Sequence, residues 1–122
     1  MDERKRRGNR GEDVVAAALE RRGYRVLERQ YRCRWGEIDL IVWDPAGVLC
    51  FVEVKSRTET RFSAPREAVT PAQQRRLRSA ASWYLARTGL AENPCRFDVA
   101  EVWPSRRNGW DRPNLNYIIS AF

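Results

Sequence analysis

Two apolar segments separated by a short turn constrain the fold of this 122-residue chain more than any other feature. Residues 37–44 and 48–56 are rich in the β-branched and aromatic side chains that favour strands, and Pro45, Ala46 and Gly47 lie between them. Loops of three to five residues that contain glycine commonly join antiparallel strands. The sequence therefore predicts a β-hairpin.

The register of this hairpin decides which charged side chains meet. A three-residue loop places Asp39 directly opposite Glu53 and Glu37 opposite Lys55, with opposed Cβ atoms roughly 4.5–5.5 Å apart. A two-residue loop at residues 46–47 would instead put Asp39 and Glu53 on opposite faces, because side chains alternate along a strand. The apolar pattern suits either register, so the predicted contact depends on the turn.

The remaining elements predict an α/β domain of order α-β-β-β-α-β, whose second helix is a crossover connection. The predicted helices cover residues 9–22 and 71–88, the further strands cover residues 24–31, 97–103 and 117–122, and residues 57–69 form a polar loop. The Asn9 and Glu12 pair resembles a capping box, and Thr70 precedes a proline suited to the first helical position. Residues 1–8 are predicted to be a flexible basic arm, and residues 9–122 a single domain.

Charge and residue usage narrow the function. The formal net charge of +7 favours a polyanionic partner, with nucleic acid ahead of an anionic membrane surface and of a merely solvated basic surface. The absence of histidine excludes catalysis and zinc binding that depend on an imidazole. Lys5 and Lys55 are the only lysines among 23 basic residues, so the lysine at position 55 has a role that arginine does not fill.

The expected compartment is the cytoplasm. Cys33, Cys50 and Cys95 are an odd number without a C-x-x-C pair, as expected of reduced thiols. The charged N-terminus lacks the apolar stretch of a signal peptide, and no segment is apolar enough to span a membrane.

The opposed carboxylates of Asp39 and Glu53 predict a metal site. Two like charges facing each other destabilise a strand pair unless a cation neutralises them, and Mg²⁺ prefers a few carboxylates with water. A lysine beside such a metal can orient or deprotonate an attacking water, which indicates metal-dependent phosphodiester hydrolysis. Taken singly, Glu53 and Lys55 would be an ordinary ion pair, and Glu12 an acid favoured by the helix dipole.

At these residues the chain resembles restriction-endonuclease-like nucleases with a PD-(D/E)-x-K signature. Asp39 matches the lone acid, Glu53-Val54-Lys55 matches the second half, and Ile38 replaces the usual proline. Glu12 matches the first-helix glutamate of several branches, including archaeal Holliday junction resolvases. More closely, from about Arg7 to the last strand, the segments RGNRGEDVVAAALERRGYRVLERQYRCRWGEIDLIVWD, EVKSR and AVTPAQQRRL resemble the YraN-like family of small bacterial proteins.

The resemblance implies a restriction-endonuclease-like fold, in which a mixed central β-sheet is flanked by helices. It implies Mg²⁺, for which Mn²⁺ can substitute, bound by Asp39 and Glu53, with Glu12 assisting and Lys55 positioned for the water. Glu37 is expected to pair with Lys55 or to join the outer coordination shell. A glutamine near the site in related nucleases makes Gln73 and Gln74 supporting candidates.

Nucleic-acid contacts are expected from arginines along the arm and the second helix, although a solvated helix face explains the latter nearly as well. The candidates are Arg4, Lys5, Arg6, Arg7, Arg10, Arg75, Arg76 and Arg78. The five tryptophans are expected mostly in the core or at an interface, since stacking on bases requires an exposed ring.

The leading hypothesis is a Mg²⁺-dependent endonuclease that acts on DNA and recognises structure, such as a junction or branch, rather than sequence. Cleavage of two strands would require two active sites and hence a homodimer. The alternatives are a nucleic-acid-binding module that keeps the fold without cleaving and a nuclease that processes RNA. The sequence does not separate DNA from RNA.

Overall fold

The computed structural model describes residues 3–57 and 69–122, with side chains from Arg10 onward. These residues form two helices and five strands in the order α-β-β-β-α-β-β. The elements are α1 (Glu3–Arg21), β1 (Arg25–Cys33), β2 (Gly36–Trp43), β3 (Leu49–Ser56), α2 (Pro71–Thr88), β4 (Cys95–Ser105) and β5 (Gly109–Ile118).

The five strands form one open mixed sheet in the order β1-β2-β3-β4-β5. The β3–β4 pair is parallel and the other three pairs are antiparallel. A parallel pair of consecutive strands requires a crossover connection, and α2 lies within that connection. The predicted α/β class is confirmed, and the architecture is consistent with a restriction-endonuclease-like fold.

The two helices cover opposite faces of the sheet. On one face, Val15 and Leu19 of α1 pack with the buried strand residues Val42 and Val52. On the other, Leu77, Ala80, Ala81 and Tyr84 of α2 pack with Ile41, Leu49, Phe51 and Val99. The central strands are thus buried on both faces. A polar side chain on them is therefore tolerated only near a strand end or with a hydrogen-bond or ion-pair partner.

The β2–β3 hairpin has the predicted three-residue loop. Trp43 lies opposite Leu49 and Leu40 opposite Val52. The backbone N–H of Asp44 donates to the carbonyl of Val48 over 2.9 Å, which closes the loop. The predicted register is therefore confirmed from Trp43 and Leu49 to Leu40 and Val52, and the paired positions end one residue short of Asp39 and Glu53.

Helix α2 begins and ends where the sequence predicts. The hydroxyl of Thr70 accepts a 3.1 Å hydrogen bond from the backbone N–H of Gln73, whose side chain accepts in return from Thr70 N–H over 3.0 Å. Gly89 follows the helix in the left-handed conformation, with φ of 73°, which a residue without Cβ adopts at little cost.

The boundary predicted for α1 is wrong. The helix begins at Glu3, so residues 3–8, assigned to a separate arm, are helical in backbone, and Asn9 is not the N-cap. Arginine, lysine and glutamate are good helix formers even where no apolar stripe marks the helix. Residues 58–68 of the predicted polar loop lie outside the described residues.

The last strand is also displaced from its predicted position. Strand β5 ends at Ile118 and begins at Gly109, within the segment predicted as a loop. Its Asn, Arg and Pro content is tolerated because β5 pairs only with β4 at the sheet edge, where Pro113 need not donate a ladder hydrogen bond.

The sequence also predicts that the cysteines are reduced thiols and that no segment spans a membrane. Cys33, Cys50 and Cys95 are all unpaired. Within the described residues, neither helix combines the length and apolar character needed to cross a bilayer.

Candidate active site

Asp39 lies where the regular pairing of β2 with β3 stops. The paired positions run from Trp43 and Leu49 to Leu40 and Val52, and beyond them Oδ2 of Asp39 accepts a 2.8 Å hydrogen bond from the backbone N–H of Val54. Ile38 then packs on the α2 side although Leu40 packs on the α1 side, so the alternation of side chains breaks at Asp39. The Asp39 carboxylate thus accepts a backbone hydrogen bond from β3 at the point where the two strands diverge.

Glu53 and Lys55 flank the residue that donates this bond. The Nζ atom of Lys55 lies 3.5 Å from Oε1 of Glu53, and each side chain is 18% exposed. Because both are largely withdrawn from solvent yet open at one side, this pair differs from a surface ion pair, whose contribution is small. It leaves a cation and a carboxylate beside Asp39 at the end of the sheet.

Glu37 does not pair with Lys55 as predicted. Its carboxylate lies 3.3 Å from Nε of Arg32, which is opposite it in the β1–β2 pair, and both side chains are substantially exposed. The prediction failed because β2 and β3 diverge beyond Asp39, so the hairpin register does not extend to residue 37.

Asp39 and Glu53 both have raised pKa values. Burial, followed by the negative charge of Glu53, raises the pKa of Asp39 to about 7, and Glu12 and Glu37 add to this effect. The Val54 N–H partly opposes it. Burial also raises the pKa of Glu53, while Lys55 favours its charged form. Because these neighbouring acids are hard to ionise together, a bound cation would strongly stabilise their charged forms.

Glu12 reaches this region from α1. It is only 4% exposed, and it accepts hydrogen bonds from Nε of Arg29 at 3.4 Å and from Nε2 of Gln30 at 3.2 Å. Gly11 allows this approach, because a Cβ at that position would overlap Oγ of Ser56 and lie 3.1 Å from Cγ1 of Val102. The first-helix glutamate is therefore held close enough to Asp39 to influence its charge.

No sequence pattern indicates the roles of Arg29 and Gln30. Gln30 has a φ of 51°, a left-handed conformation uncommon for a residue with a side chain. Arg29 lies opposite Leu40 and Tyr31 opposite Ile38, so this left-handed residue stands beside the aspartate without shifting the β1–β2 register. Left-handed conformations of residues other than glycine cluster at functional sites, and no periodicity in the sequence reveals them.

A concave cleft of about 300 Å³ opens beside Glu53. It is lined by Gly36, Glu37, Glu53, Gln73, Arg76 and Leu77. Gln73 therefore lines the cleft, and its Oε1 accepts the hydrogen bond from Thr70 N–H that caps α2. Gln74 instead donates to the backbone carbonyl of Val69 over 3.1 Å, which directs its amide away from the role foreseen.

The candidate nucleic-acid arginines divide into groups. Arg75 and Arg76 line a second concavity next to the cleft. Arg78 lies over the rings of Phe97 and Phe122, and Arg10 over the ring of Trp110. The side chains of Arg4, Lys5, Arg6 and Arg7 lie outside the described part of the chain.

Comparison with known sequences places the chain in a family. Residues 11–102 match the profile of the uncharacterised protein family UPF0102. The chain belongs to this family. It is 55% identical over 100 residues to a UPF0102 protein of Symbiobacterium thermophilum, which covers 82% of this chain and 84% of the relative. It is 45% identical over 104 residues to a UPF0102 protein of Moorella thermoacetica, covering 85% and 86%.

The UPF0102 match confirms the predicted YraN-like family and contains all four candidate catalytic residues, Glu12, Asp39, Glu53 and Lys55. The relatives' names state no activity.

The site fits a Mg²⁺ ion in donor type and number. Within residues 3–57 and 69–122 no three Asp, Glu, Cys or His side chains converge as a ready-made metal cage. Asp39 and Glu53 supply two carboxylates, and Mg²⁺ is usually held by one or two carboxylates together with water and substrate phosphate. The raised pKa of Asp39 shows that its negative charge lacks sufficient compensation from the protein alone.

Proposed function

We propose that this protein is a metal-dependent nuclease that hydrolyses phosphodiester bonds in DNA and recognises the structure of its substrate. The observation that carries the proposal is the convergence of Asp39 and Glu53 beside Lys55, with the pKa of Asp39 raised to about 7. Structural ion pairs rarely leave two carboxylates competing for one proton, whereas sites that bind a divalent cation do so in its absence.

Each side chain has a distinct role in the proposed reaction. Asp39 and Glu53 would hold Mg²⁺, and the bound ion would stabilise the negative charge that develops on the phosphate. Lys55, held by Glu53, would donate a hydrogen bond that orients the attacking water and would stabilise the negative charge that develops as this water loses its proton to solvent. Glu12 acts on Asp39 through its charge rather than as a ligand, because its carboxylate is engaged by Arg29 and Gln30.

The surroundings of the cleft support a nucleic-acid substrate. The chain carries a net charge of +7, and Arg76 lines the same cleft as Glu53. Cations next to an anionic metal site favour a phosphodiester over a small neutral substrate. A single small domain offers little surface for reading base edges, so recognition through the shape of a junction, flap or single strand fits it better than recognition of sequence.

A panel of labelled substrates tests the proposal. Purified protein is incubated with Mg²⁺ or Mn²⁺ and with four-way junctions, flaps, blunt duplex, single-stranded DNA and structured RNA, and again with EDTA. We expect metal-dependent cleavage of at least one branched or single-stranded DNA. Binding without cleavage on every member would refute the nuclease, and cleavage confined to RNA would refute the DNA preference.

A further inference from the structure

Trp35 occupies an unusual place for a large aromatic residue. It lies in the turn between β1 and β2, directly before Gly36, and 45% of its surface is exposed. The sequence favoured a core or interface position for this residue. An indole in solvent costs free energy, because its apolar area remains hydrated, so its location invites a functional explanation.

The ring borders a concavity of about 280 Å³. The concavity is lined by Trp35, Ala72, Arg75, Arg76 and Ser79, which are one aromatic residue, two arginines and two small residues. The guanidinium of Arg34 lies 4.9 Å from the centre of the Trp35 ring, and Arg34 does not line the concavity. Trp35 thus carries a cation over one face of its ring while it also lines the concavity.

This concavity adjoins the candidate active-site cleft. Arg76 lines both, and Gly36, which follows Trp35, lines the cleft that contains Glu53. A Cβ at Gly36 would lie 3.4 Å from both Cβ and the backbone oxygen of Arg76, so the turn packs closely against α2. Trp35 is thereby fixed on a sheet–helix contact one residue from the cleft.

We propose that this concavity, the Trp35 subsite, binds an unpaired nucleotide of a DNA strand next to the phosphate that is cleaved. Trp35 stacks on the base, and Arg75 and Arg76 contact the flanking phosphates. A base inside a duplex is already stacked on both faces, so only a single-stranded or displaced nucleotide presents a free face to the ring. The inference rests on the proposed nuclease function and assigns its substrate class, namely DNA with an unpaired nucleotide beside the scissile bond.

The chain contains a matched control for this subsite. Trp83 on α2 is also exposed, at 38%, and also lies near a guanidinium, that of Arg87 at 5.9 Å. Trp83 lines neither the cleft nor the Trp35 subsite. Comparing substitutions at the two tryptophans separates a specific base contact from a general loss of exposed aromatic surface.

The test measures binding without cleavage. Fluorescence anisotropy in EDTA or Ca²⁺ gives dissociation constants for a labelled single strand and a blunt duplex of the same length. Trp35→Ala should weaken single-strand binding roughly 5- to 100-fold, the range found when one stacking aromatic is removed. Duplex binding should change less than twofold, and Trp83→Ala should leave both constants unchanged. Equal losses on both DNAs, or no loss on either, would overturn the subsite.

Abasic DNA locates the contact at the base itself. A series of single strands, each with one abasic nucleotide, should contain a position that weakens binding to the parent as much as Trp35→Ala does. Trp35→Ala should then be insensitive to that position, because the same contact cannot be lost twice. If abasic substitution weakens both proteins equally at every position, Trp35 does not stack on a base.

The Trp35 subsite and the nuclease activity can each be refuted without refuting the other. A protein that binds single strands through Trp35 but cleaves no DNA would retain the subsite and refute the nuclease. A protein that cleaves DNA with unchanged affinity after Trp35→Ala would retain the nuclease and refute the subsite.

Discussion

The Oδ2 atom of Asp39 accepts a 2.8 Å hydrogen bond from the backbone N–H of Val54, the residue between Glu53 and Lys55. This bond fixes the aspartate against the strand that carries the other two site residues. It uses one carboxylate oxygen and leaves the other available to a cation. The backbone of the hairpin therefore holds Asp39 beside the two charged residues of β3.

Metal binding should depend on Asp39 and on pH. Isothermal titration calorimetry should detect Mn²⁺ binding to the parent protein and not to Asp39→Asn. Since the pKa of Asp39 is raised to about 7, a proton competes with the metal below that pH. Affinity should therefore fall about tenfold from pH 8 to pH 6. Equal binding by the variant would contradict the assignment of Asp39 as a ligand.

The metal-free protein should lose stability as Asp39 ionises. Its pKa is raised in the folded state, so its contribution to stability is greatest at low pH and is lost between about pH 4 and about pH 7. Asp39→Asn removes the charge while its amide oxygen can still accept from Val54. At pH 8 in EDTA, urea unfolding should show the variant more stable by a few kcal/mol, since one pKa unit corresponds to about 1.4 kcal/mol.

At pH 4.5 the stability advantage of Asp39→Asn should largely disappear. Asp111→Asn provides the control, because it removes one carboxylate from an exposed position on β5. A pH-independent difference for Asp39→Asn, or an equal gain for Asp111→Asn, would show that the buried charge at residue 39 is not the cause.

Substitution of Lys55 should leave DNA binding nearly unchanged and should strongly reduce DNA cleavage. Lys55→Met keeps much of the aliphatic stem, and Lys55→Arg keeps the charge, so both should bind DNA within a few-fold of the parent. Cleavage by each should fall roughly 10²–10⁴-fold, the usual contribution of acid–base assistance, because methionine has no donor and the wide guanidinium fork places its donors differently from a compact ammonium. An active Lys55→Arg would mean that residue 55 supplies charge alone.

Gly11 should be intolerant of even a methyl group. In an exposed helix, glycine to alanine is stabilising by about 1 kcal/mol. Here the added Cβ would overlap Oγ of Ser56 and crowd Val102, so Gly11→Ala should destabilise the fold by about 1–3 kcal/mol. Ser56→Ala in the same chain should recover part of that loss. Thermal unfolding of the two single variants and the double variant measures the coupling, and purely additive effects would contradict it.

The parts of the molecule that follow from local sequence rules were predicted well. The Pro-Ala-Gly turn determined the β2–β3 register, and the Thr70 and Gly89 caps determined the ends of α2. Both depend on residues that are adjacent or a few positions apart. The register ends one residue short of Asp39 and Glu53 and brings the two acids close enough for their charges to interact, which is why the centre of the candidate site could be predicted.

The features that escaped prediction depend on tertiary context. Strand β5 was missed because an edge strand tolerates polar residues and Pro113. The contacts of Glu12 with Arg29 and Gln30 arise from packing of α1 and from a left-handed residue within β1. The exposure of Trp35 results from its place in a turn, whereas aromatic composition alone suggests burial.

The most direct measurement of the central claim is the rate of phosphodiester cleavage by matched preparations of the parent and Asp39→Asn. Both are purified identically and assayed with Mg²⁺ on the substrate that the panel identifies, with product ends resolved on a denaturing gel. The account predicts cleavage by the parent that EDTA abolishes, and a rate at least about 10²-fold lower for Asp39→Asn. Equal rates for the two proteins would contradict the account, because the activity would then not depend on the carboxylate at the centre of the site.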